Sequence, residues 1–199
     1  MKLTPELFLE RNDHSLLKPT LTIKDMTEGL EFAAKVKCGA VCISPHRLWL
    51  AKDVLQGTDV DIATVIGFPT GTHSTKSKIA EAQLAIEDGA SDLDMVMDIG
   101  AMLSGEYQMV QDDMAGVVHA APGHNVKVIL EVDYLNDELI AKACQLATDA
   151  GVAYVKTSTG FVPGGANAHN IALMRKSAGA NVKVKASGGL STLAEVQAV

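Results

Sequence analysis

Two lysines lie in apolar stretches of the chain, where a charged side chain is costly unless it is paired or used. Lys156 lies in GVAYVKTSTG and Lys185 lies in NVKVKASGG, each late in a predicted strand. A lysine whose pKa falls from about 10.4 toward 7 or 8, through burial or a second ammonium beside it, adds to a carbonyl carbon and forms a Schiff base. The two stretches therefore predict a lysine nucleophile with a second lysine as its electrostatic neighbour.

An aspartate and two further lysines complete the set of candidate charged groups. Asp94, in ASDLDMVMDIG, is suited to holding a proton or a positioned water for transfer to carbon. Lys183 precedes Lys185 by two residues and shares its strand face, so spacing alone leaves the choice between them open. Lys127 comes early in its strand, and we interpret it as structural. Any one of these lysines, taken alone, is more typical of a strand edge or of a side chain that extends to solvent.

Small-residue turns follow both candidate lysines, at residues 157–160 (TSTG) and 187–189 (SGG). Their backbone N–H and hydroxyl groups suit an anionic ligand, although most glycine-rich turns simply close a strand. The six histidines show neither H-x-H nor H-E-x-x-H spacing, so we expect no zinc or iron site. The histidine pattern therefore disfavours chemistry that depends on a bound metal.

The elements that must position these groups are strands alternating with amphipathic helices. We predict an opening helix, helices at 76–88 and 137–150, and strands near 14–17, 39–44, 61–67, 92–97, 126–132, 152–157 and 182–186. A repeat of about 28 residues fits an open doubly wound sheet or a (β/α)8 barrel. No G-x-G-x-x-G follows the first strand, which disfavours a dinucleotide-binding fold.

Composition limits the protein classes that remain. The 199 residues are 47% hydrophobic and 21% charged, as in a globular α/β protein, and we predict one domain over residues 1–199. A net charge of −7 disfavours nonspecific nucleic-acid binding. We expect no membrane span, because no run of eighteen apolar residues occurs, and the three cysteines predict reduced thiols in the cytoplasm.

Five motifs taken together resemble the bacterial deoxyribose-phosphate aldolase family, from about residue 11 to the end of the chain. They are DHSLLKPTLT, AVCISP, the stretch from ATVIGFPTG to DLDMVMDIG, YVKTSTGF and VKVKASGG. The resemblance implies a (β/α)8 TIM barrel and a class I aldolase without metal or cofactor. Such an enzyme splits 2-deoxy-D-ribose 5-phosphate reversibly into acetaldehyde and D-glyceraldehyde 3-phosphate, in deoxynucleoside breakdown.

The resemblance also implies a role for each matching residue. Lys156 is the Schiff-base lysine, Lys185 the neighbouring ammonium that lowers its pKa, and Asp94 a proton relay that works through a water. The same matches imply that several residues line the substrate, and these are Asp13, Cys42, Thr159 and Gly160. Gly188 and Gly189 are expected to offer backbone N–H groups to the phosphate.

The chain departs from the family pattern in two places. An eighth strand is expected about ten residues beyond Val199, so we predict a barrel of about seven strands, with weakened phosphate binding and open sheet edges that favour a homodimer. In LEVDYLND, Asp133 replaces a small uncharged residue and is expected to disturb the electrostatics of the mouth of the site. Two alternatives stay open: another Schiff-base barrel lyase or transferase, and a catalytically impaired protein that binds a sugar phosphate or a partner.

Overall fold

The computed structural model describes residues 4–199, in which parallel strands alternate with helices. The strands are β1 (Asp13–Leu16), β2 (Ala40–Ile43), β3 (Asp61–Ile66), β4 (Asp92–Val96), β5 (Asn125–Ile129), β6 (Tyr154–Lys156) and β7 (Lys183–Lys185). The helices are α1 (Pro5–Arg11), α2 (Ile23–Val36), α3 (Leu48–Val54), α4 (Thr75–Glu87), α5 (Ile99–Leu103), α6 (Tyr107–Ala120), α7 (Asp137–Asp149), α8 (Ala168–Ser177) and α9 (Leu193–Ala198). Each predicted strand is present, with its ends shifted by at most three residues.

One sheet holds the strands in chain order, from β1 to β7. Where β5, β6 and β7 pair in parallel, Ile129 lies opposite Lys156, and Lys156 lies opposite Lys185. Residues in register on neighbouring strands present their side chains to the same face of a sheet. The register therefore aligns the candidate lysines of β6 and β7 on one face.

The described residues form two compact units. The first extends to Val65 and includes Leu84–Leu93, and the second comprises Ile66–Gln83 and Asp94–Val199. In the first unit all of β2 is buried, as expected for a parallel strand covered on both faces. In the second unit Val128, Ile129 and Val155 are fully buried and belong to its apolar core.

A buried ion pair anchors the carboxyl end of β4 within the second unit. The Lys78 ammonium on α4 lies 2.5 Å from the Asp113 carboxylate on α6 and donates to the carbonyl of Val96 at 3.0 Å. Thr75 donates to the other Asp113 oxygen at 2.8 Å. Because both charged side chains are almost wholly excluded from water, the pair fixes α4, α6 and the end of β4 to one another.

The loop between β3 and α4 is held against the same strand end. Gly71 has a left-handed backbone with φ 72°, and a Cβ there would lie 2.0 Å from the carbonyl oxygen of Met97. Only glycine permits so close an approach.

Among residues 4–199, no helix is both long and apolar enough to cross a membrane.

Candidate active site

Three charged side chains from β4, β5 and β6 meet in the interior of the second unit. The Lys156 ammonium donates to Oδ2 of Asp94 at 2.6 Å, and the Lys127 ammonium lies 3.2 Å from Oδ1. Asp94 is 0% exposed, and the two lysines are 8% and 2% exposed. Burial alone would raise the pKa of Asp94, but the ammonium groups of Lys156 and Lys127 hold that pKa below its ordinary value.

This cluster carries an excess of positive charge when both lysines are protonated, because one carboxylate faces two ammonium groups. Two ammonium groups close together in a medium of low dielectric constant repel each other, and the repulsion is relieved when one of them loses a proton. The Asp94 carboxylate attracts each ammonium while the two ammonium groups repel each other, so the charges of the two lysines are coupled through one carboxylate. A lysine must lose its proton before it attacks a carbonyl carbon.

The strand register distinguishes the two lysines of β7. Lys185 lies opposite Lys156, whereas Lys183 lies opposite Tyr154 and donates to its hydroxyl at 3.3 Å. Lys183 is exposed and Lys185 is partly buried. The spacing of the sequence left this choice open, and the register places Lys185 beside the buried lysine.

Sequence reasoning missed Lys127, which we interpreted as structural because it comes early in its strand. Its side chain is buried and forms an ion pair with Asp94, so it belongs to the charged cluster. A usable signal was present, because Lys127 lies between Val126 and Val128 in a strand that is otherwise apolar. A buried charge must be paired or used, and this applies to Lys127 as it does to Lys156.

The two small-residue turns interlock beyond β6 and β7. Thr157 Oγ1 donates to the Ser187 carbonyl at 2.7 Å, and Ser187 Oγ donates to the Ser158 carbonyl at 2.6 Å. Gly160, Gly188 and Gly189 all have positive φ, between 69° and 81°. The turns therefore form a surface that is lined by backbone, as an anionic ligand requires.

Two further features of this surface were not expected from the sequence. Gly165 packs so closely that a Cβ there would lie 2.3 Å from the carbonyl carbon of Gly188. Ser158 Oγ is buried and has no hydrogen-bond partner among the described residues. A buried hydroxyl without a partner costs free energy unless a ligand or water supplies one.

Glu131 connects the end of β5 to the turn after β6. It is 1% exposed, and its carboxylate accepts hydrogen bonds from the backbone N–H of Thr159 at 3.2 Å and from Thr159 Oγ1 at 2.5 Å. Burial raises the pKa of Glu131, and the nearby charge of Asp133 raises it further. Asp133 also contacts the next loop, since a Cβ on Gly164 would overlap its carboxylate. The electrostatic influence expected of Asp133 therefore acts on Glu131.

Asp13 and Cys42 belong to the first unit, whereas the second unit holds the charged cluster. Asp13 begins β1 and pairs in register with Ala40. Cys42 is buried in β2 and pairs with Ser15. The other candidate residues, Asp94, Lys156, Thr159, Gly160, Lys185, Gly188 and Gly189, all lie in the second unit.

A parallel α/β sheet that buries a lysine against a carboxylate, with backbone-lined turns beyond the ends of its strands, is typical of α/β-barrel enzymes that use a lysine. Residues 8–198 match the DeoC/LacD family aldolase model. The chain belongs to this family, and the resemblance stated from its motifs is confirmed.

Known proteins agree with this assignment. A deoxyribose-phosphate aldolase from Bacillus mycoides is 49% identical over 181 residues, which cover 90% of this chain and 81% of that protein. A crystal structure from Coccidioides immitis has a TM-score of 0.94 at 36% identity and covers 98% of this chain and 78% of that chain. A deoxyribose phosphate aldolase from Aeropyrum pernix, described as tetrameric, has a TM-score of 0.86 at 31% identity, over 94% of this chain and 79% of that chain. The predicted fold class, an α/β barrel of the class I aldolase type with about seven strands, is confirmed.

Proposed function

We propose that the protein cleaves 2-deoxy-D-ribose 5-phosphate reversibly into acetaldehyde and D-glyceraldehyde 3-phosphate through a Schiff base on Lys156. The observation that carries the proposal is the buried Lys156 amine, 2.6 Å from Asp94, with a second ammonium on the same carboxylate. The names of the family and of the Bacillus relative support the substrate.

The reaction begins when the neutral amine of Lys156 adds to the aldehyde carbon of the sugar, and loss of water gives an iminium ion. The C3 hydroxyl loses its proton, the C2–C3 bond breaks, and its electron pair moves into the iminium. Glyceraldehyde 3-phosphate leaves, and an enamine remains on the lysine. Protonation of the enamine carbon followed by hydrolysis releases acetaldehyde and regenerates the amine.

Three charged residues serve these proton transfers. Asp94, which lies 2.6 Å from the Lys156 nitrogen, is placed to pass a proton through a water during dehydration and enamine protonation. Lys185, opposite Lys156 in the register, supplies a second positive charge and assists proton transfer. Lys127 stabilises the ionised form of Asp94 from the other side.

The substrate is bound by the turns that surround the lysine. Gly188 and Gly189 offer backbone N–H groups to the phosphate, and the positive φ of these residues suits a surface without side chains. Thr159 and Gly160 line the sugar. The family motifs assign Asp13 and Cys42 to the substrate lining as well.

The test is the intact mass of the protein after incubation with acetaldehyde and borohydride. We expect one ethyl-sized increment on the wild type and none on Lys156→Ala. The exposed Lys176 provides the matched control, because Lys176→Ala should retain the increment. Cleavage of deoxyribose 5-phosphate, followed by release of acetaldehyde, then tests the substrate.

Each of the other outcomes points to one of the alternatives. An adduct without release of acetaldehyde from the sugar phosphate would favour another Schiff-base lyase or transferase. A folded protein that gives no adduct but binds the sugar phosphate would favour a binding role.

We further propose a homodimer in the cytoplasm, formed from a single aldolase domain. The tetrameric description of the Aeropyrum protein supports self-association. The three cysteines are free and buried, which supports a reducing compartment. The family match over residues 8–198 supports one domain.

A further inference from the structure

Glu131 adopts a backbone conformation that its residue type does not favour. Its φ and ψ are 52° and 63°, in the left-handed region that few residues other than glycine occupy. Hydrogen bonds on both sides of it fix this conformation. Leu130 N–H donates to the carbonyl of Lys156 at 2.9 Å, and Val132 N–H donates to the carbonyl of Thr157 at 3.1 Å. The strained residue is therefore attached directly to the segment that carries the proposed nucleophile.

This conformation carries the Glu131 carboxylate to Thr159. The two carboxylate oxygens accept the Thr159 backbone N–H at 3.2 and 3.3 Å, and one of them accepts the Thr159 hydroxyl at 2.5 Å. Hydrogen bonds to a carboxylate are stronger than those between neutral groups. Glu131 therefore fixes both the position and the orientation of the Thr159 hydroxyl.

A count of protons and lone pairs shows what this orientation does. A threonine hydroxyl has one proton to donate and two lone pairs to accept with. Its proton goes to Glu131, and one lone pair accepts the Phe161 N–H at 3.1 Å. At most one lone pair is left, so a ligand that reaches this oxygen must bring its own donor.

From this arrangement we infer that Glu131 is a positioning residue that makes Thr159 an acceptor only, so that the site selects aldehydes with a hydroxyl beside the carbonyl. The inference rests on the proposed function, in which Thr159 lines the sugar. A substrate hydroxyl donates to Thr159 Oγ1, whereas an analogue without that hydroxyl leaves the remaining lone pair unused. Selection then depends on a hydrogen bond whose direction Glu131 sets.

The experiment compares two acceptor aldehydes in the synthetic direction, with acetaldehyde as the donor. D-Glyceraldehyde and 3-hydroxypropanal differ by one hydroxyl beside the carbonyl. The measured quantity is the ratio of kcat/KM for the two acceptors. In this ratio of kcat/KM values, effects on the amount of folded enzyme and on Schiff-base formation cancel, because both acceptors share them. A merely structural role of Glu131 would change only those shared quantities.

Glu131→Gln should lower this ratio about tenfold, because a carboxamide oxygen can accept the Thr159 N–H while its NH2 group donates to Oγ1. Both lone pairs of Thr159 Oγ1 are then occupied, so this hydroxyl can only donate, and a substrate hydroxyl that donates in the wild type must accept instead. Glu138→Gln is the matched control, because Glu138 is exposed in the first turn of α7 and should leave the ratio unchanged.

A double-mutant cycle shows whether Glu131 acts through Thr159. Thr159→Val removes the hydroxyl and should lower the ratio by itself, and adding Glu131→Gln should then have little further effect. If Glu131→Gln fails to fold, Thr159→Val alone can still overturn the inference, because that variant removes the hydrogen bond on which the inference depends and an unchanged ratio in it would contradict the inference. Equal effects of Glu131→Gln in both backgrounds also overturn it.

Failure of the proposed function gives a different result from failure of this inference. Without a borohydride-trapped adduct on wild-type Lys156, no ratio can be measured and the proposed function itself fails. With the adduct present and a wild-type ratio in folded Glu131→Gln, only the role of Glu131 is refuted.

Discussion

Replacing Lys127 by methionine tests whether its charge helps to keep Lys156 neutral. Methionine has a side chain of similar length and no charge, so it occupies the buried position of Lys127 without an ammonium group. In the wild type both lysines lie against one carboxylate, at 2.6 and 3.2 Å from its two oxygens. In the variant, Asp94 retains Lys156 as a partner, and protonated Lys156 loses a neighbouring positive charge.

The distances set the size of the effect. Both ammonium groups bind the same carboxylate, so their nitrogen atoms are at most about 8 Å apart. At an effective dielectric constant of about 20, the two charges then repel by at least about 2 kcal/mol. This repulsion corresponds to about 1.5 pH units. Removing it should allow Lys156 to stay protonated to higher pH. The midpoint for Schiff-base formation should therefore move up by about 1.5 units.

The assay is the initial rate of adduct formation with acetaldehyde and cyanoborohydride, followed by intact mass across a pH series. Lys127→Arg is the control that retains the charge, because arginine stays protonated at every pH of the series. It should keep the midpoint near that of the wild type. A midpoint in folded Lys127→Met that is unchanged or lower would refute the electrostatic reasoning, whatever the absolute rate.

Three further predictions concern stability, each measured by urea denaturation. Lys78→Met leaves the buried Asp113 carboxylate without its ion-pair partner and should lower the free energy of unfolding by about 3–5 kcal/mol. Adding Asp113→Leu should recover much of this loss, and a loss below about 1 kcal/mol in Lys78→Met would contradict the prediction. Gly71→Ala should lower the free energy of unfolding by about 1–3 kcal/mol more than Gly57→Ala does. Both glycines have positive φ, but only at Gly71 would the new Cβ lie 2.0 Å from a backbone oxygen, and equal losses would contradict this prediction. Burial lowers the pKa of His14 from 6.5, so its stabilising contribution is present above pH 6.5 and is lost as the pH falls through the lowered value. His14→Gln should therefore reduce the loss of stability below pH 6.5, and an unchanged pH profile would count against it.

Local patterns were sufficient to predict the elements. Helix α4, predicted at 76–88, spans Thr75–Glu87, and α7, predicted at 137–150, spans Asp137–Asp149. Ser74 precedes α4 and accepts the N–H of Ser77 at 3.3 Å, which caps the helix. These features depend on residues within a few positions of one another, which a sequence displays directly.

The contacts that build the site depend on distances that a sequence does not display. Lys78 and Asp113 are 35 residues apart, and nothing in the periodicity of α4 or α6 indicates that they pair. The left-handed conformation of Glu131 has no local signal either, because glutamate is not enriched there as asparagine and glycine are. By contrast, Lys156, Lys185 and Asp94 were predicted as candidates from their place in apolar stretches, and the strand register places the two lysines side by side.

The interlocked turns also determine how the specificity of this protein can evolve or be engineered. Five glycines in these turns or in the segment packed against them have positive φ, namely Gly160, Gly164, Gly165, Gly188 and Gly189. Each replacement by a residue with a Cβ adds about 1–2 kcal/mol of backbone strain before any new contact is made. A mutagenesis library for new aldehydes should therefore hold these five codons fixed and randomise neighbours such as Phe161, whose side chain is already 46% exposed.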